Sequence, residues 1–82
     1  MSTSVSERLT AILIDVLMLE DPTCVRPEAH LIHDLGAESI NVAEIIVAIE
    51  HEFGVSVPDN VIQQASTVSA LQATIEDLLP KA

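Results

Sequence analysis

The stretch HDLGAESINVAEIIVAIEHEFGV, His33–Val55, carries the pattern that decides the fold. Gly36 and Ala37 turn the chain, and from Ser39 the apolar residues Val42, Ile45, Ile46, Ile49 and Phe53 fall at spacings of 3, 1, 3 and 4. That period places them on one face of a helix and predicts a helix over 39–53, with Gly54 as its C-terminal cap. A serine at such a helix start has two readings. Its hydroxyl can accept from a free backbone N–H and merely cap the helix. The same position also suits a phosphate, because unpaired N–H groups and the positive end of the helix dipole face an anion there.

Working outward, Ser4 and Glu7 have the spacing of a capping box, and Leu9, Ile12, Leu13, Val16 and Leu17 follow at helical intervals. They predict a first helix over about 4–19. Pro22 and Pro27 then break the period and open a long first loop. Leu31, Ile32 and Leu35 are too apolar for solvent, so this loop is expected to be ordered and folded back on the core. After Gly54, Pro58 is placed to start a short third helix over about 59–64. Thr67 caps a last helix with the stripe Val68, Leu71, Ile75, Leu78 and Leu79, stopped by Pro80. The expected fold is all-α: a small four-helix bundle of three principal helices and one short one, with residues 1–82 as a single domain.

Composition narrows the function. The chain has 82 residues and a hydrophobic fraction of 49%, with Phe53 its one aromatic, so the core has to come from Leu, Ile, Val and Ala. The longest apolar run, Ile45–Ile49, is far short of the roughly 20 residues needed to span a bilayer. MSTSVSERLT lacks the basic and apolar regions of a secretory signal, which makes a cytoplasmic protein the expectation, or an organellar one if a transit peptide has been removed. A monomer is expected. Cys24 is the sole cysteine and is read as an incidental thiol. The net charge is −10, and no Lys or Arg occurs between Pro27 and Pro80. Such a field repels nucleic-acid backbones and attracts basic protein surfaces.

Catalytic and metal-binding patterns are weak. Ser, His and Asp are all present, but there is no G-x-S-x-G elbow, and so small a domain has little room for a pocket with an oriented base. His30 and His33 lie three apart without a clear third ligand, and no calcium-loop order of carboxylates occurs. All three histidines, His51 included, read as solvated. No metal site is expected.

DLGAESI resembles the D-L-G-x-D-S-L motif of acyl carrier proteins. The resemblance continues through VAEIIVAIEHEFGVSVPDN, similar to that family's acidic second helix and the start of its third, and on to TVSALQATIEDLL. It implies a 4′-phosphopantetheine arm on Ser39, joined through a phosphodiester by a transferase that uses coenzyme A, with acyl groups riding on the arm as thioesters. Asp34, Leu35 and Gly36 match the D-L-G that fixes the turn before the serine. By this resemblance the protein catalyses nothing and presents cargo to fatty-acid or polyketide type enzymes with basic docking patches. An aminoacyl or peptidyl carrier, or an unmodified acidic interaction module, are the alternatives.

The chain also departs from that pattern. Glu38 stands where Asp is usual, Ile40 where Leu is usual and Asn41 where an acid is common, and Gln63 and Gln64 make the third helix less acidic. These departures point to a specialised pathway. Glu38 and Glu44 are the acids nearest Ser39. Ile40 and Val47, seven apart, lie off the centre of the buried stripe and close to Glu44. Either they widen the core face or they form an apolar docking patch rimmed by acids.

Overall fold

A computed structural model of the chain describes residues 4–58, 60–64 and 66–79. Four α-helices follow in order: α1 (Val5–Leu17), α2 (Ser39–Phe53), α3 (Val61–Gln64) and α4 (Val68–Leu78). A single 3-10 turn at Pro22–Cys24 interrupts the first loop. Among the described residues there is no strand; one isolated antiparallel bridge pairs His30 with Thr67. No described helix is long and apolar enough to cross a membrane.

The ends of these helices follow from local chemistry. The Ser4 hydroxyl accepts from the Glu7 N–H at 3.2 Å and the Glu7 carboxylate reaches back to Ser4, completing the capping box. The first helix stops earlier than the sequence period suggests, because Met18 turns into the left-handed region at φ 54°. Gly54 ends α2 in the same conformation, at φ 67°, where the absence of a Cβ removes the penalty. Thr67 caps α4 by accepting from the Ala70 N–H at 3.2 Å. The expected third helix is reduced to one turn from Val61, with Pro58 lying before it and accepting from the Val61 N–H. The expected contributions of Asp59 and Pro80 fall on residues outside those described.

The core is aliphatic. Leu9 and Leu13 of α1, Ile45 and Ile49 of α2, Leu71 and Ile75 of α4, and Leu31 of the loop are fully buried. Each contributes about 1.5–3 kcal/mol by leaving water. Among the described residues no polar or charged side chain is buried. One position of the expected stripes is corrected: Leu78, in the last turn of α4, is exposed, while Ile12, Val16, Leu17, Val42 and Leu79 are half-buried at the margin of the core.

One tie between helices was not legible beforehand. Arg8 of α1 donates from Nε to the Glu52 carboxylate at 2.8 Å and from Nη2 to the Glu52 carbonyl at 2.7 Å. Its guanidinium also lies 4.4 Å from the centre of the Phe53 ring. The ion pair is partly exposed and contributes modestly, but the three contacts together fix the C-terminal end of α2 against α1. In the first loop, Asp21 accepts from the Thr23 hydroxyl at 2.7 Å and from its N–H at 3.0 Å. These bonds, the hydroxyl first, hold the Asp21 carboxyl below its usual value.

The two left-handed helix ends make a matched test. Met18 is 84% exposed and loses no packing on truncation, so Met18→Gly is expected to raise stability by about 0.5–1 kcal/mol. A Cβ at Gly54 would meet nothing within 4 Å, so Gly54→Ala should lower stability by about 1 kcal/mol through backbone strain alone. Denaturant unfolding of the two variants reads both signs.

Candidate functional site

The site is built on a turn whose backbone N–H groups, from Leu31 to Ala37, are all engaged. The Asp34 N–H and Leu35 N–H both donate to the His30 carbonyl, at 2.9 and 3.1 Å, and the Gly36 N–H donates to the Ile32 carbonyl at 3.1 Å. This helical turn is capped by a side chain. Nδ1 of His30 accepts from the N–H groups of Ile32 and His33, each at 3.1 Å, and the Asp34 carboxylate accepts from the His30 N–H at 2.7 Å. His30 is therefore not the solvated loop histidine that the sequence suggests; a single spacing of three between histidines hid a cap. Gly36, at φ 75°, then reverses the chain, and the Ala37 N–H returns to the Leu31 carbonyl at 3.0 Å.

The turn is anchored to the rest of the fold. Leu31 donates to the Ser66 carbonyl at 2.8 Å, while Val68 and Ser69 donate back to the carbonyls of Ala29 and Pro27 at 3.0 and 2.8 Å. Leu31, Leu35 and Ala37 are buried, as the loop's apolar residues foretold for the two leucines. Ile32 departs from that expectation and is 45% exposed, because the turn that buries Leu31 and Leu35 directs residue 32 to the opposite side.

Ser39 follows as the first residue of α2. It is exposed, and among the described residues its hydroxyl makes no hydrogen bond. Capping is thus not its task. Glu38 occupies the N-cap position, and its N–H is bound by the Oδ1 of Asn41 at 3.0 Å. The first intrahelical bond joins the Val42 N–H to the Glu38 carbonyl, which leaves the N–H groups at the start of α2 directed beside Ser39. A surface cleft opens next to the hydroxyl, between α2 and α3, with Ile32, Val42 and Ile62 along its walls and Gln63 at its edge. Sequence reasoning did not find this cleft, since α3 is too short to show a period.

Glu38 lines the cleft beside Ser39, whereas Glu44 lies with Ile40 on the outer side of α2, where Asn41 Nδ2 is 3.5 Å from its carboxylate. Among the described residues the ion pairs are Arg8 with Glu52 and Arg26 with Glu28, so neither Glu38 nor Glu44 has an ion-pair partner among them. Glu50 is set apart: its carboxylate accepts from the Val57 N–H at 2.8 Å and holds the loop after α2. Ile40 and Val47 are 67% and 64% exposed. They lie with Ala43, Glu44 and Ile12 along an apolar groove on the outer side of α2.

The profile of the family described as "Phosphopantetheine attachment site" matches residues 7–75. The chain belongs to that family. Its defining chemistry is covalent attachment of 4′-phosphopantetheine, and its members work with a phosphopantetheinyl transferase and with biosynthetic enzymes. The matched residues run from the capping box of α1 to Ile75 of α4, so they take in the turn, the start of α2 and the cleft. The chemistry present fits such a group. A primary alcohol with no hydrogen bond among the described residues stands at a helix N-terminus that favours a phosphodiester, next to a cleft walled by Ile32, Val42 and Ile62. Among the described residues no group of three metal-ligating side chains comes together. Cys24 is exposed in the first loop and lines a surface hollow with Arg26 and Asp34.

The Asp34 carboxylate closes the turn together with the His30 ring. Asp34→Ala is expected to cost about 1–2 kcal/mol in chemical denaturation, and Asp34→Asn, which keeps an acceptor, to cost less.

Proposed function

We propose that Ser39 carries the 4′-phosphopantetheine arm and that the chain holds acyl intermediates as thioesters on it for fatty-acid or polyketide type enzymes. The observation that carries this reading is the exposed, unbonded Ser39 hydroxyl at the start of α2, directly after the Asp34-Leu35-Gly36 turn, in a chain of this family. The turn sets where the serine stands, the helix start stabilises the phosphate, and the cleft bounded by Val42 and Ile62 receives the proximal cargo. Nothing in this role requires an acid, a base or a nucleophile beyond the serine. The chain therefore acts as a carrier and leaves catalysis to its partners, in a cytoplasmic setting where coenzyme A supplies the arm.

The partners' contact surface is proposed at Glu38, Ile40, Glu44 and Val47. Exposure of both apolar side chains, with the Glu44 carboxylate in the same groove and Glu38 at the start of the helix, neither ion-paired among the described residues, supports docking over core-widening as their role. The −10 net charge favours partners with basic surfaces. Glu38 and Ile40, which depart from the residues usual in acyl carrier proteins, support a specialised pathway, and the chain is proposed to act as a monomer.

Incubation with coenzyme A and a broad-range transferase should add one arm per chain by intact mass, and Ser39→Ala should abolish the addition. Loading at another serine would overturn the assignment, and no loading by any transferase would favour an unmodified interaction module.

Docking has its own test. Ile40→Ala should leave thermal unfolding nearly unchanged, since an exposed side chain contributes little, yet weaken acyl transfer with partner enzymes. Added salt should slow association more than it speeds dissociation. A stability loss of about 2–5 kcal/mol in Ile40→Ala would instead assign Ile40 to the core.

A further inference from the structure

Helical turns are usually capped by Ser, Thr, Asp or Asn, whose acceptor oxygens persist across the neutral range. Here the cap is an imidazole nitrogen. Nδ1 of His30 accepts two backbone N–H groups at once, from Ile32 and His33 at 3.1 Å each, so the ring has to carry its proton on Nε2. An imidazolium has N–H on both nitrogens and no acceptor. Protonation would aim a donor at two donors, and the ring would have to leave.

We propose that His30 is an acid-releasable cap on the turn leading to Ser39, holding that turn closed while the imidazole is neutral and freeing it when the ring takes a proton. Histidine is suited to this because its charge changes between about pH 5 and 8. The turn is the segment that buries Leu31, Leu35 and Ala37 and places Ile32 and Ala37 on the cleft beside Ser39. Its release loosens one wall of that cleft. The device is independent of what Ser39 carries.

Charged and titratable groups lie around the ring. The His33 ring is 4.3 Å from that of His30. The Asp34 carboxylate is held on the His30 N–H, and Arg26 shares a surface hollow with Asp34 and pairs with Glu28. Glu38 contributes a negative charge from the start of α2. The segments of α3 and of the first turn of α4 bring Gln63, Gln64, Ser66, Thr67 and Ser69, none of which titrates in this range. The loss of the two bonds that Nδ1 accepts fixes the sign: acid opens the turn.

The experiment uses the full-length, isotopically labelled chain. Ring nitrogen shifts at about pH 7.5 should show His30 as the Nε2–H tautomer, and between about pH 7.5 and 5.5 protection factors of the Ile32 and His33 amides should fall about tenfold. Protection of the core amides of Leu13 and Ile45 should not fall with them. His30→Asn supplies a non-titrating cap and should keep the two amides protected at both pH values, while His33→Gln should retain the pH dependence. An Nδ1–H tautomer, pH-independent protection in the native chain, an unchanged pH dependence in His30→Asn, its loss in His33→Gln or an equal fall at the core amides would each overturn the proposal.

Discussion

Three backbone hydrogen bonds between residues 27–31 and the start of α4 carry most of the organisation of this protein. Leu31 donates to Ser66, and Val68 and Ser69 donate to Ala29 and Pro27. A first loop of this length, with two prolines, would otherwise wander, because ordering each residue costs on the order of 1–2 kcal/mol of backbone entropy. Pinned at these points, it delivers Leu31 into the core beside the fully buried side chains of α1, α2 and α4. Everything that concerns Ser39 hangs from that anchor. The His30-capped turn, the reversal at Gly36 and the entry into α2 are set one from the next, each by bonds to the residues just before it.

Helix α2 serves two purposes with one sequence. Ile45, Ile46, Ile49 and Phe53 face inward and join it to α1 and α4. On the opposite side Ile40 and Val47 stay in solvent, with Glu44 between them along the helix. An aliphatic core with one aromatic leaves little redundancy, so the end of α2 is secured separately by Arg8, which grips both the Glu52 carboxylate and its carbonyl and covers Phe53. Spending one of only three basic residues on that clamp leaves Glu38 and Glu44 without a cation among the described residues. The acidity of the docking face proposed around Ser39 is thus partly a consequence of how the core is closed.

The regular parts of this arrangement were readable along the chain. A capping box at Ser4, a stripe from Val42 to Phe53, a glycine at 54 and a threonine at 67 are local signals, each read within a few residues, and the helices begin and end close to them. The exceptions share a cause. The end of α1 at Met18, the exposure of Ile32 and Leu78 and the shortness of α3 depend on what packs nearby, which no window of sequence contains. His30 is the clearest case: a histidine near another histidine carries no sign that its ring will turn back to take two backbone N–H groups.

By itself, then, the sequence determined the helical class, the family and the serine on which the proposed function rests, because periodicity, capping and the Asp34-Leu35-Gly36 approach are properties of contiguous residues. Tertiary structure alone decided which apolar side chains of α2 face solvent, that Glu50 holds the loop at Val57 and is withdrawn from the acidic face, and that the turn before Ser39 is clasped by an imidazole. Those outcomes required elements distant in the chain to meet, and the depth at which a side chain sits or the partner its ring finds is fixed only once they have.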